Sequence, residues 1–190
     1  IGSDQSLASL GLKCLSIHEV GTRQLLADIL RNPAAPEGLR LEAVSMAQGH
    51  GHRVILGSQE EVLINPSETK ASPGLLGKIF ENLAKTNGDD SFFALTRYAA
   101  AHEHPLELRM QALNAVKAQH RFLNYATHCL LGDILSDAEN DPALRILAIR
   151  TGENRSSWDF RNAITKVIRS CQNPAIVDAA LDKLSLNGLK

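Results

Sequence analysis

The sequence predicts an all-α protein, a short α-solenoid of about four stacked helical hairpins with a capping helix at its N-terminal end. Three observations predict it. Apolar residues make up 44% of the 190-residue chain but aromatics only 4%, so the core has to be built from Leu, Ala, Ile and Val, which suits packed helices better than an aromatic-rich sandwich. Apolar positions recur at helical spacing along most of the chain. A short pattern (Pro, a gap, Leu-Arg, two residues, Ala, an aliphatic) recurs at intervals that mark helical repeats.

The pattern stands at 36–44, 105–113 and 141–149, with Leu39-Arg40 and Ala43, Leu108-Arg109 and Ala112, and Leu144-Arg145 and Ala148 as its fixed points. Its arginines are 69 and 36 residues apart. The longer interval is two repeat lengths, so a remodelled unit is expected between residues 49 and 88. A fourth, weaker copy at 173–181 keeps Pro174 and the apolar frame, with Asp178 read in place of the arginine. Each proline suits the first turn of a helix, where no amide donor is needed and its fixed φ fits. Asp141 and Asn173 precede their prolines as capping side chains. Gly49 and Gly152 read as stop signals.

A first helix precedes each pattern, at 22–31 (Leu25, Leu26, Ile29, Leu30), 90–102 (Phe92, Phe93, Leu95, Tyr98, Ala99), 123–136 (Ala126, Cys129, Leu130, Ile134, Leu135) and 157–171 (Phe160, Ile164, Val167, Ile168). Ser156 with Asp159 suggests a capping arrangement for the last of these. The expected organisation is a single domain over 1–190. Its parts are a capping helix at 1–18 (Leu7, Leu10 and Leu15 inward), a first hairpin at 19–49, an irregular or degenerate unit at 50–88, and hairpins at 89–120, 121–152 and 156–188. Within the irregular unit, Val54-Ile55-Leu56 and Val62-Leu63-Ile64 fit either a small β-hairpin or a distorted helix, and 73–85 reads as a helix.

The motif Asp-Pro-x-Leu-Arg-x-x-Ala-aliphatic, best kept at 141–149, resembles the second-helix signature of HEAT repeats of the short bacterial type. The resemblance covers about two thirds of the chain and leaves out 1–18 and 49–88. It implies a scaffold or adaptor that binds other proteins, a fold-level analogy. In such stacks the arginine position often forms a ladder between hairpins.

Composition excludes some classes. A formal net charge of −1 gives no bulk attraction to nucleic acid or anionic membrane, and no apolar run reaches the length of a spanning helix. Cys14, Cys129 and Cys171 are sparse, odd in number and outside any CxxC pair, so they read as buried small hydrophobes and not as a disulfide framework. The chain begins at Ile1 and reads as a processed or trimmed piece. It carries no readable address, and a cytoplasmic setting is the favoured expectation. No nucleophile elbow, P-loop, HExxH or dinucleotide fingerprint occurs, so no enzyme, catalytic residue or cofactor is expected.

The candidate residues follow from a helical wheel at about 100° per residue. Leu39, Ala43, Leu108, Ala112, Leu144 and Ala148 mark the buried sector. Arg40, Arg109 and Arg145 fall on its border, where a guanidinium reaches acids or carbonyls of a neighbouring hairpin. Ser45, Gln48, Asn114, Lys117 and Arg150 point outward, beside Leu41, Met110 and Ile146, and form the predicted face for a protein or peptide partner. In stacked hairpins the second helices would line a shallow concave face.

The alternative is nucleic-acid binding by the basic segment 145–169, whose local charge is +4 against −4 over 89–141. It would use Arg150, Arg155, Trp158, Arg161, Lys166 and Arg169, with Trp158 stacking on bases. The more ordinary role for this tryptophan is a hairpin-core anchor. Two His-x-His pairs, His50-Gly51-His52 and His102-Glu103-His104, join His18, His120 and His128. Zinc requires three or four convergent ligands, and turn positions such as these usually hold solvated histidines, so no metal is expected.

Overall fold

The computed structural model describes residues 2–48, 52–86, 88–119, 123–152 and 157–188. Among them are eleven helices: α1 (Gly2–Lys13), α2 (Val20–Arg31), α3 (Glu37–Met46), α4 (Arg53–Ile64), α5 (Pro73–Thr86), α6 (Asp89–Ala100), α7 (Leu106–Lys117), α8 (Tyr125–Ser136), α9 (Pro142–Thr151), α10 (Trp158–Ser170) and α11 (Pro174–Gly188). No strand occurs among the described residues. None of the described helices is long and apolar enough to cross a membrane. The chain divides into two compact units, Ile1–Ser91 and Phe92–Lys190.

In the first unit α1 packs on α3 and α3 on α5, while α2 packs on α4; the two rows meet through α2–α3 and α4–α5. Leu26, Leu30, Val44, Ile55, Leu75 and Ile79 are fully buried between them. The second unit repeats the arrangement: α7 packs on α9 and α9 on α11, α8 packs on α10, and the rows meet through α8–α9 and α10–α11. Its interior holds Leu113, Leu131, Leu135, Ala148, Phe160 and Ile176. Removing each larger side chain from water contributes roughly 1.5–3 kcal/mol.

Two helix starts have the chemistry the sequence suggests. The Asp141 carboxylate accepts from the Ala143 amide at 2.7 Å and Asn173 Oδ1 from Ala175 at 3.1 Å, each just ahead of a proline at the first helical position. Pro36 and Pro105 instead occupy the cap positions of α3 and α7. Asn124 caps α8 through the Thr127 amide. At α10 the cap is Ser157, which accepts from Phe160; Ser156, the residue expected there, lies outside the described residues, and so does Gly49. Asp159 bonds the Tyr125 hydroxyl.

Several expectations are corrected. Residues 53–72 hold no strand pair: both apolar triplets lie on α4, whose buried stripe is Ile55, Ser58, Gln59, Val62 and Leu63. With α5 it forms a helix pair in the interval 49–88, where a remodelled unit is expected. In α1, Leu12 is buried, whereas Leu10 is 59% and Leu15 38% exposed; the helix ends at Lys13 and packs on α3. The side chain of Leu7 is outside those described. In α11 the shared caps place Val177, not Asp178, at the arginine position, since Asn173 and Asp141 cap alike; Asp178 is exposed. Gly152 follows α9, but with φ −58° it is no left-handed cap. A Cβ there would lie 2.2 Å from Phe160 Cε1, so close packing is what requires glycine. Cys14 is exposed, and Cys129 and Cys171 are half-buried.

Candidate binding faces and the arginine rungs

The three border arginines are nearly buried, at 3%, 5% and 8% exposure for Arg40, Arg109 and Arg145. Each donates from Nε to the carbonyl ten residues earlier: Leu30 at 3.1 Å, Ala99 at 2.8 Å and Leu135 at 2.9 Å. Those carbonyls belong to the penultimate residues of α2, α6 and α8. The last four carbonyls of a helix lack intrahelical donors, and the helix end carries partial negative charge, so a guanidinium is a fitting partner.

Arg40 continues from Nη1 to the Thr69 carbonyl at 2.9 Å. Arg109 continues from Nη2 to Asn140 Oδ1 at 2.6 Å. Each therefore ties its own helix pair to the loop that leads into the next second helix. Asn140 is buried, and its Nδ2 donates to the Ile134 carbonyl at 3.0 Å. Burial pushes both Arg40 and Arg109 below their ordinary pKa, opposed by Glu37 at Arg40 and by Asp137 and Glu103 at Arg109. The wheel places these arginines correctly at the border. It did not identify the carbonyl targets or Asn140. A legible signal was present, because a polar residue stands immediately before both capping residues, Asn140 before Asp141 and Gln172 before Asn173.

The outward positions are exposed. In the first unit these are Ser45 and Gln48, at the C-terminal end of α3; in the second they are Asn114 and Lys117 on α7 and Arg150 on α9. Leu41, Met110 and Ile146 are half-buried. The structure thus brings Asn114, Lys117 and Arg150 onto two helices that pack side by side.

Trp158 is not a core anchor. It is 76% exposed at the start of α10, where Phe160, Ile164 and Val167 fill the buried side. Trp158, Arg161, Lys166 and Arg169 are all exposed and fall within about 140° of arc at 100° per residue. Arg155 lies outside the described residues. Between α8 and α10 a cleft of about 290 Å³ is lined by Tyr125, Cys129, Asp133 and Asp159 among others. The hydrogen bond to Asp159 holds the Tyr125 phenol above its usual pKa.

The histidines serve separate ends. His102 Nε2 lies 2.6 Å from Asp137 Oδ2, and His104 stacks on Tyr98 with ring centroids 4.0 Å apart. His52 meets the Arg23 guanidinium at 3.2 Å. His128 is buried beside Phe160. His50 and His120 lie outside the described residues. Among the described residues no three His, Cys, Asp or Glu side chains converge as a metal site would require.

No family model matches the sequence, and no curated protein or solved structure matches it either.

Proposed function

We propose that this chain is a HEAT-like α-solenoid that acts as a non-enzymatic interaction module, holding a protein or peptide on the face presented by its second helices. The observation that carries the reading is the division of roles at one repeated segment. Leu108, Arg109 and Ala112, and Leu144, Arg145 and Ala148, are buried, whereas Asn114, Lys117 and Arg150 on the same helices are exposed. Next-but-one packing inside each unit, α1–α3–α5 and α2–α4 in the first and α7–α9–α11 and α8–α10 in the second, supports the repeat reading, and it leaves second-helix surfaces of each unit available to a partner. Ser45 and Gln48 supply the equivalent positions in the first unit.

A second reading, nucleic-acid binding through α10, is favoured by one specific observation: the exposed Trp158 shares a face with Arg161, Lys166 and Arg169. Aromatic stacking with backbone-directed cations is how single strands are held. One experiment separates the two. The protein and a variant carrying Asn114→Ala, Lys117→Glu and Arg150→Glu are immobilised and used to capture partners from native extract, with and without nuclease. The interaction reading predicts a protein retained after nuclease and released by the triple substitution, then confirmed by direct titration. Loss of all captured protein on nuclease treatment, with no effect of the triple substitution, would assign binding to α10 instead.

A further inference from the structure

Arg145 makes only half of the contact its counterparts make. Its Nε donates to the Leu135 carbonyl, but among the described residues neither of its Nη groups meets an acceptor. In Arg40 and Arg109 those groups reach an oxygen from the following loop, Thr69 O or Asn140 Oδ1. After Arg145 the corresponding position is Gln172. The gap is a cleft of about 190 Å³, lined by Arg145, Lys166, Ser170 and Gln172 among others, with no carboxylate on its wall. Arg145 is nonetheless 92% buried, its exposure being 8%.

We propose that this cleft binds a carboxylate, supplied by an acidic side chain of a partner protein. Arg145 lines the cleft with N–H groups that have no protein acceptor among the described residues, and these can donate to an incoming oxygen. The planar fork of its guanidinium matches a carboxylate in bidentate fashion. Ser136 and Ser170 end α8 and α10 here, and each helix terminus contributes roughly −0.5 of a charge. The two full cations, Arg145 and Lys166, outweigh both. The exposed ammonium of Lys166 gives an incoming anion its electrostatic direction. The Ser170 hydroxyl is committed to the Lys166 carbonyl at 2.9 Å, which leaves the two cations as the recognition elements.

The proposal rests on the interaction reading only for the source of the carboxylate, and its test is independent of partner capture. Labelled protein is titrated at constant ionic strength with acetate, inorganic phosphate and chloride while the Arg145 Nε–H and Gln172 amide resonances are followed by NMR. Acetate should shift both saturably and chloride should not. Lys166→Gln should weaken the acetate response about threefold, the effect of one partly exposed charge pair. Gln172→Glu places a carboxylate on the cleft wall, so it should raise the melting temperature and abolish the acetate response. The proposal is overturned if acetate acts no differently from chloride, if phosphate alone binds, or if Gln172→Glu keeps the full acetate response. Failure here with intact capture by the α7–α9 face would leave the interaction reading standing, and the reverse result would leave the cleft standing.

Discussion

Buried polar side chains explain what a wheel resolves and what it does not. It placed Arg40, Arg109 and Arg145 at the edge of the apolar sector because that angle follows from 100° per residue alone. Their targets depend on how each hairpin turns, which periodicity does not encode. His128 is a second case. It lies in a helical apolar run, is 3% exposed, and has no partner at Nε2. Burial lowers its pKa, opposed by its hydrogen bond to the Asn124 backbone and reinforced by Lys183. His104 is lowered by burial too. As pH falls, the unfolded chain therefore protonates first, from about 6.5. The stability that these neutral rings contribute is complete above that pH and is lost as pH falls from there through the lowered folded values. The denaturant midpoint should decline below pH about 6.5, and His128→Leu should flatten the decline, with His104 accounting for what remains. An unaltered acid limb in His128→Leu would show that another group governs it.

Helix ends and interiors were legible to different degrees. Asp141 and Asn173 beside prolines announced α9 and α11, because a capping oxygen and a ring without an amide hydrogen suit only that position. The α4 helix stayed ambiguous for a physical reason. Its buried stripe has helical spacing, but Ser58 and Gln59 occupy the middle of it, so the apolar residues that remain cluster as two triplets that fit a strand equally well. In α5, Leu76 stands where α3, α7 and α9 carry arginine, counting from the cap Ser72, which hid that repeat. Glycine gives a test at this scale. Gly152→Ala drives a methyl into the buried Phe160 ring and should cost roughly 1–3 kcal/mol through overpacking. Gly57→Ala, inside α4 with open space at its Cβ, should gain roughly 0.5–1 kcal/mol. Denaturant melts of the two variants should move in opposite directions, and a stable Gly152→Ala would mean that α10 can shift away from α9.

For the molecule as a whole, composition and periodicity revealed the all-helical class, and the repeated Leu-Arg pattern revealed which helix surfaces face inward. The α10 face was visible only as a local excess of basic residues, because sequence does not say whether Trp158 is inside or outside. The partner was not legible, since an exposed Asn114 or Arg150 specifies chemistry and not identity. The central claim is that the repeated arginines hold the fold while the exposed positions beside them hold the partner. It is tested most directly by measuring, for one pair of variants, a denaturant melt beside a titration with the captured protein. Arg109→Ala removes charged hydrogen bonds to Ala99 and Asn140 worth roughly 1.5–3 kcal/mol each, so it should lower the midpoint clearly while the folded fraction binds as before. The Asn114, Lys117 and Arg150 triple variant should melt close to the parent, as surface changes shift stability by only about 0.5 kcal/mol each, and should bind weakly. An Arg109→Ala protein that melts like the parent and no longer binds would contradict the account and place that arginine in the binding site.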